Sequence, residues 1–248
     1  MKKDLRESAI TVAIYGTIIG VLFGGGFLLH KHQMNELFDK KYSTKFDIKK
    51  DSLEEIISNA DEIKMEKQIF SLKKHYFVLV DDVVVAEITG KYFPIFGDEV
   101  TVRDTNNKII KTETQIKRLG PTNGKVFNFS INRVAQIKDK SGNITGYIKE
   151  NRLRNLFSLI HKQYFLDENE NTIAQGTQRI LSKDFTIKDN RGKTIYKIDG
   201  NLLSIRCKST IKKVADTELD EIDVILYNII EDSIINGRKS SSSSKSKQ

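Results

Sequence analysis

The chain has 248 residues, 38% hydrophobic and 30% charged, which supplies apolar material for a core and is too apolar for a disordered polymer. One cysteine, Cys207, rules out an intrachain disulfide framework and a multi-cysteine zinc site. The net charge of +8 is spread unevenly: about −6 over residues 51–100, about +13 over 101–213, about −7 over 214–237, and +4 in the tail from Arg238 to Gln248. A basic middle of this kind attracts phosphates or anionic lipid heads if folding gathers it on one side. It is neutralised if folding brings the acidic flanks against it.

Residues 1–8 form a basic leader carrying Lys2, Lys3 and Arg6. Ala9 to Leu29 then runs 21 residues without a charge. At the helical rise that is about 31 Å, enough to cross the hydrocarbon core of a bilayer. A secretory apolar region is usually shorter and ends at an Ala-x-Ala site, so a retained single-pass transmembrane helix over 9–29 is expected in preference to a cleaved signal. Lys31, Lys40, Lys41 and Lys45 nearly balance the leader in the positive-inside count. Moving the leader across is unfavourable, and the expected orientation is therefore N-terminus inside with the large domain outside. Gly16, Gly20 and Gly24 share one helix face, a spacing that lets two copies of the helix approach and dimerise, although glycine is also common in membrane helices that have no partner. His30 and His32 read as interfacial flank.

Residues 30–61 read as a linker, polar over 33–50, with a short amphipathic helix over about 52–61. Ser52 and Glu55 have capping-box spacing, and Leu53, Ile56, Ile57 and Ala60 give one apolar face.

From Glu62 the apolar period becomes two. Phe77, Leu79 and then Val83 to Ile88 predict a hairpin across Asp81-Asp82. A unit then recurs, in which an apolar residue, any residue and Asp precede a turn rich in Asn or Gly and a second apolar strand. It appears at Val102-Arg103-Asp104, Ile137-Lys138-Asp139, Phe165-Leu166-Asp167 and Ile187-Lys188-Asp189. These aspartates are turn formers that bond their own main chain, not calcium ligands, because no turn carries acids at alternate positions with a closing Glu. Successive hairpins predict a meandering antiparallel sheet that closes on itself.

The C-terminal segment differs in kind. Asp216-Thr217 and Asp220 look like a helix start, Gly237 is a plausible stop, and only Asp223 and Asn228 are polar between 222 and 230. A helix apolar on every side is buried nearly all round, and roughly 12 residues are too few to span a bilayer. The predicted place for it is inside the barrel, and the Ser/Lys tail over 238–248 is predicted to be disordered.

These residues resemble the tubby-like superfamily, most closely its LURP-one-related branch, which is related to the phospholipid scramblases. The resemblance is carried by Lys67-Gln68-Ile69-Phe70-Ser71-Leu72, Ile88-Thr89-Gly90-Lys91, Ile198-Asp199-Gly200-Asn201 and the Ile222–Ile230 helix, over about residues 62–235. It implies a mainly β fold: a closed antiparallel barrel of about twelve strands around a C-terminal buried helix, with the barrel domain at 62–237. The N-terminal span and the basic tail depart from that pattern.

The catalytic inventory is thin, and no enzyme, cofactor or metal is expected. His75 lacks a triad or metal spacing, His161 reads as a surface strand position, and Cys207 has basic neighbours but no assignable base. Binding is the remaining chemistry. Lys108, Lys111, Lys117, Arg118, Lys125 and Arg133 fall around one hairpin and its following loop, and Arg152 and Arg154 fall near the next. They are candidate contacts for lipid phosphates, each cation near such a surface adding on the order of 1 kcal/mol. Aromatic residues do not recur beside them as a nucleic-acid stacking platform needs, so no nucleic-acid partner is expected. The expected function is a single-pass membrane protein presenting the barrel as a protein-interaction or scaffold module. Anionic-lipid binding is the alternative, with lipid scrambling ranked below it. Expected partners are membrane lipids, an envelope protein, and a second copy through the glycine face.

Overall fold

The structure is a computed structural model that describes residues 28–29, 31–35, 52–68, 74–90, 99–116, 132–151, 160–179, 184–200 and 208–230. The described residues form twelve antiparallel strands: β1 (Glu62–Lys67), β2 (His75–Val80), β3 (Val83–Gly90), β4 (Glu99–Asp104), β5 (Ile109–Ile116), β6 (Asn132–Asp139), β7 (Ile144–Asn151), β8 (Ile160–Leu166), β9 (Thr172–Arg179), β10 (Phe185–Asp189), β11 (Thr194–Gly200) and β12 (Ser209–Lys213). Each strand pairs with its sequence neighbours, and β1 pairs with β12 (Ile63 opposite Ile211), which closes the barrel. Closure removes the exposed edges that an open meander would leave.

Strict up-and-down order gives the barrel two unlike ends. The links β2–β3, β4–β5, β6–β7, β8–β9 and β10–β11 are tight turns at one end, the turn end. The links β1–β2, β3–β4, β5–β6, β7–β8, β9–β10 and β11–β12 all leave the other, the connection end.

The recurrent aspartates build the turn end as the sequence predicts. In each of four turns one Asp Oδ1 accepts two backbone N–H groups, as Asp139 does from Ser141 (2.8 Å) and Asn143 (2.9 Å), and Asp189 from Arg191 (2.9 Å) and Lys193 (2.9 Å). Asn107, Gly142, Glu170 and Gly192 take positive φ at matching places in these turns. The first hairpin is built differently. Asp81 and Asp82 both have positive φ (52° and 64°), the two-residue turn whose twist matches the flanking strands.

Residues 221–230 form a helix, α2, that fills the barrel. Val224, Leu226, Tyr227 and Ile229 are fully buried against inward residues such as Val78, Ile88, Ile137, Ile187 and Ile198. Burying each large side chain is worth about 1.5–3 kcal/mol, so the lumen is the main source of stability. Asp220 starts the helix, its Oδ1 accepting from Ile222 N at 2.8 Å. The short helix α1 (Leu53–Ser58) packs Leu53, Ile56 and Ile57 onto the same core, with Ser52 Oγ accepting from Glu55 N at 3.1 Å.

No helix among the described residues is long and apolar enough to cross a membrane. The predicted span 9–29 lies outside the described residues except for Leu28 and Leu29, which are helical and exposed. Gly16, Gly20, Gly24, Gly237 and the tail 238–248 also lie outside them. The tether expected over 33–50 needs correction at its start. Residues 31–35 are helical, Gln33 is fully buried and donates to Lys67 O at 2.8 Å, and Met34 packs on the outward-facing Phe77, Leu79 and Val84. Those three apolar side chains lie on the outer wall, and a pattern read as a one-sided barrel face does not show what covers them.

Candidate functional site

The barrel topology divides the basic residues that the sequence places together. Lys108 is exposed in the β4–β5 turn, at the turn end. Arg133 lies on β6 near the connection end, in register with Glu150. Lys117, Arg118, Lys125, Arg152 and Arg154 lie outside the described residues, in the connections that follow β5 and β7.

Lys111 leaves the outer surface altogether. Its register partner is Val102, an inward residue, and it is 8% exposed. Its Nζ donates to Asp220 Oδ2 (2.7 Å) and Asp223 Oδ1 (2.5 Å) on the first turn of α2. Two carboxylates at a helix N-terminus are favoured by the backbone dipole, and a buried ammonium between them offsets their desolvation. Burial pushes the Asp223 carboxyl up to about 6, with Lys111 pulling it back down, whereas the two carboxylates raise Lys111 despite its own burial. We take Lys111 as charged at neutral pH. Its role is to seat the helix, not to meet a phosphate.

A second polar group stands beside it. Tyr196 Oη donates to Glu221 Oε1 at 2.9 Å, and Lys213 Nζ reaches the same oxygen at 3.2 Å. Burial and the Glu221 carboxylate push the Tyr196 phenol up. At the helix's other end Asn228 Nδ2 approaches Met65 Sδ (3.1 Å) and donates to Ser209 Oγ (2.5 Å). Thus α2 runs from the turn end to the connection end, and both of its polar intrusions are bonded to the wall.

The inner rim of the connection end is polar. Glu150, His161, Gln163 and Gln178 are all buried there, and Gln163 Oε1 has no hydrogen-bond partner among the described residues. His161 therefore corrects the expected surface position: β8 points it inward with Gln163 and Phe165, a phase that one histidine in a short strand does not reveal. His75 is structural as well, its ring nitrogens lying 2.5 Å from Gln68 Oε1 and 3.3 Å from Glu87 Oε2. Cys207 lies outside the described residues. Among the described residues no group of three His, Cys, Asp or Glu is placed to hold a metal ion.

Open grooves lie on the outside. One of about 630 Å³ runs over β8–β10 and is lined by Ile160, Lys162, Gln175, Thr177, Asp184 and Lys188. Another, of about 410 Å³, lies between α1 and the start of α2 and is lined by acids that include Glu54, Glu218 and Glu221. The first mixes charged side chains of both signs with apolar surface, whereas the second carries acids and no base.

No family model matches the sequence. No curated protein matches it. An Arabidopsis thaliana protein of known X-ray structure is similar at 10% identity and a TM-score of 0.42, over 70% of this chain and 93% of that one.

Proposed function

We propose that this chain is a non-enzymatic, single-pass membrane protein of tubby-like, LURP-one-related build, whose barrel serves as a protein-interaction or scaffold module at the membrane. The observation that carries the reading is the filled lumen. With α2 occupying the interior and its polar residues bonded to the wall, the domain has its outer faces and its two ends to work with. The docking of Gln33 and Met34 supports it further, because the residues that follow the apolar segment are fastened to the barrel wall instead of trailing from it.

The test uses the full chain in membranes washed with alkaline carbonate and then treated with an amine-reactive crosslinker. The chain should stay in the pellet and give discrete adducts with a second protein. Release into the supernatant would overturn membrane anchoring. Retention without a protein adduct would overturn the scaffold role and leave the second reading, contact with anionic lipid heads through the basic residues of 101–213. That alternative is favoured by the surplus of about +13 in this region.

A further inference from the structure

Two of the chain's three methionines fall within the described residues, and the fold treats them oppositely. Met65, on β1, points into the lumen and is 2% exposed, with Asn228 Nδ2 3.1 Å from its sulfur. Met34 lies on the outer wall and stays partly exposed. Peroxide oxidises a thioether where it can reach the sulfur, so the barrel shields one methionine and leaves the other open.

Met34 is also part of a fastening. It packs on Phe77, Leu79 and Val84, which face outward and yet are 3% exposed or less. Gln68 Nε2 donates to its sulfur at 3.6 Å, and Gln68 is itself oriented by His75, whose Nδ1 lies 2.5 Å from Gln68 Oε1. The neighbouring Gln33 donates to Lys67 O at 2.8 Å. Together these contacts hold residues 31–35 against β1–β3, and Met34 supplies apolar contact among them.

Oxidation acts at that point. Hydrogen peroxide transfers one oxygen atom to the Met34 sulfur: the thioether is oxidised by two electrons to the sulfoxide, the O–O bond breaks, and the peroxide leaves as water. The new S=O group is polar and needs hydrogen-bond donors. On one side it is pressed against Phe77, Leu79 and Val84, whose side chains offer none. On the Gln68 side there is no room, since an oxygen placed between atoms 3.6 Å apart falls far inside the usual N–H···O separation of about 2.7–3.2 Å. Both placements push the side chain off the wall.

We propose that Met34 is a peroxide-sensitive latch, whose oxidation to the sulfoxide releases residues 31–35 from the barrel and uncovers Phe77, Leu79 and Val84. The change is reversible, because methionine sulfoxide reductases restore the thioether. This latch operates whether or not the chain is anchored in a membrane.

The full chain is exposed to hydrogen peroxide, the reaction is stopped with catalase, and peptide mass spectrometry follows the sulfoxide at Met34 and Met65. Met34 should oxidise at least about tenfold faster than Met65, since oxidation follows exposure. Amide exchange on the same samples should accelerate at least about tenfold over 31–35, with the α2 amides still protected. Reductases for both sulfoxide epimers, supplied with a thiol reductant, should restore slow exchange. Met34→Leu keeps an apolar contact without an oxidisable sulfur, so its exchange over 31–35 should stay slow with or without peroxide. Met34→Gln, polar and of similar length, should exchange fast without any peroxide. Met65 oxidising as fast as Met34 would overturn the selectivity. Sulfoxide at Met34 with unchanged exchange over 31–35 would overturn the latch, as would a peroxide response that persists in Met34→Leu.

Discussion

Gly176 on β9 and Tyr227 on α2 fit together because one of them lacks a side chain. A Cβ at Gly176 would lie 2.5 Å from the Tyr227 Oη and 2.7 Å from its Cζ. The phenol ring occupies that space and meets Phe165 at 5.1 Å and Phe185 edge-on at 5.7 Å between centroids. A small residue in the wall thus sets how closely the central helix approaches β9.

Gly176→Ala should therefore overpack the lumen and lower stability by about 1–3 kcal/mol in urea denaturation. Adding Tyr227→Phe should restore only part of the loss, since Cζ remains in the way, whereas Tyr227→Leu should relieve the clash at the cost of its own cavity. An alanine variant as stable as the parent would show that the helix can shift at no cost, contrary to the close packing around it.

Removing Lys111 should have a larger effect. Lys111→Met leaves two carboxylates in or near the lumen without their ammonium, and breaking a buried pair in this way costs about 3–5 kcal/mol. Lys111→Met with Asp223→Leu should recover much of that, because the charge left uncompensated is then gone. A double-mutant cycle by chemical denaturation gives the coupling. Strict additivity would mean that the Lys111–Asp223 contact does not hold α2.

The same cluster predicts a pH dependence of definite sign. The Asp223 carboxyl titrates near 6 in the folded chain because burial disfavours its charge, and near its ordinary value when unfolded. The folded state then binds the proton more tightly, so the contribution of this group is fully present below pH ~4 and is lost as pH rises through about 6. Other carboxylates also titrate in this range, and the comparison with Asp223→Asn isolates the effect. The stability of wild type minus variant should increase as pH falls from 7 to 4. A difference that narrows instead would mean that Lys111 outweighs desolvation.

Met34→Asp tests the docking of the N-terminal helical residues. A carboxylate against Phe77, Leu79 and Val84 loses its solvation without gaining a partner, a penalty on the order of 1–3 kcal/mol. Amide exchange over 31–35 should accelerate by about tenfold or more while the α2 amides stay protected. Loss of protection in α2 as well would mean that the outer wall and the lumen unfold as one unit.

Much of this architecture can be read from the residues alone. Period-two strands, aspartates followed by Asn or Gly, the Ser52–Glu55 cap and a helix apolar on every side are local or short-range statements, and local backbone preference and burial decide them. They led to the closed barrel and to its central helix. What they leave open is partnership across long sequence distances. Lys111 and Asp223 lie far apart in sequence, and nothing near Lys111 marks it as different from the exposed Lys108. The inward phase of His161 and the cover that Met34 gives the outer wall are likewise hidden, because one side chain does not set the phase of a strand. The basic middle, continuous in sequence, is split by tertiary structure: antiparallel order sends alternate links to opposite ends and takes Lys111 into the lumen. Composition determined that the chain carries basic and apolar loops. Only the antiparallel pairing of the strands decided that the strand ends flanking those loops fall at one end of the barrel, because the end at which a strand finishes depends on the parity of strands that pair along the whole chain.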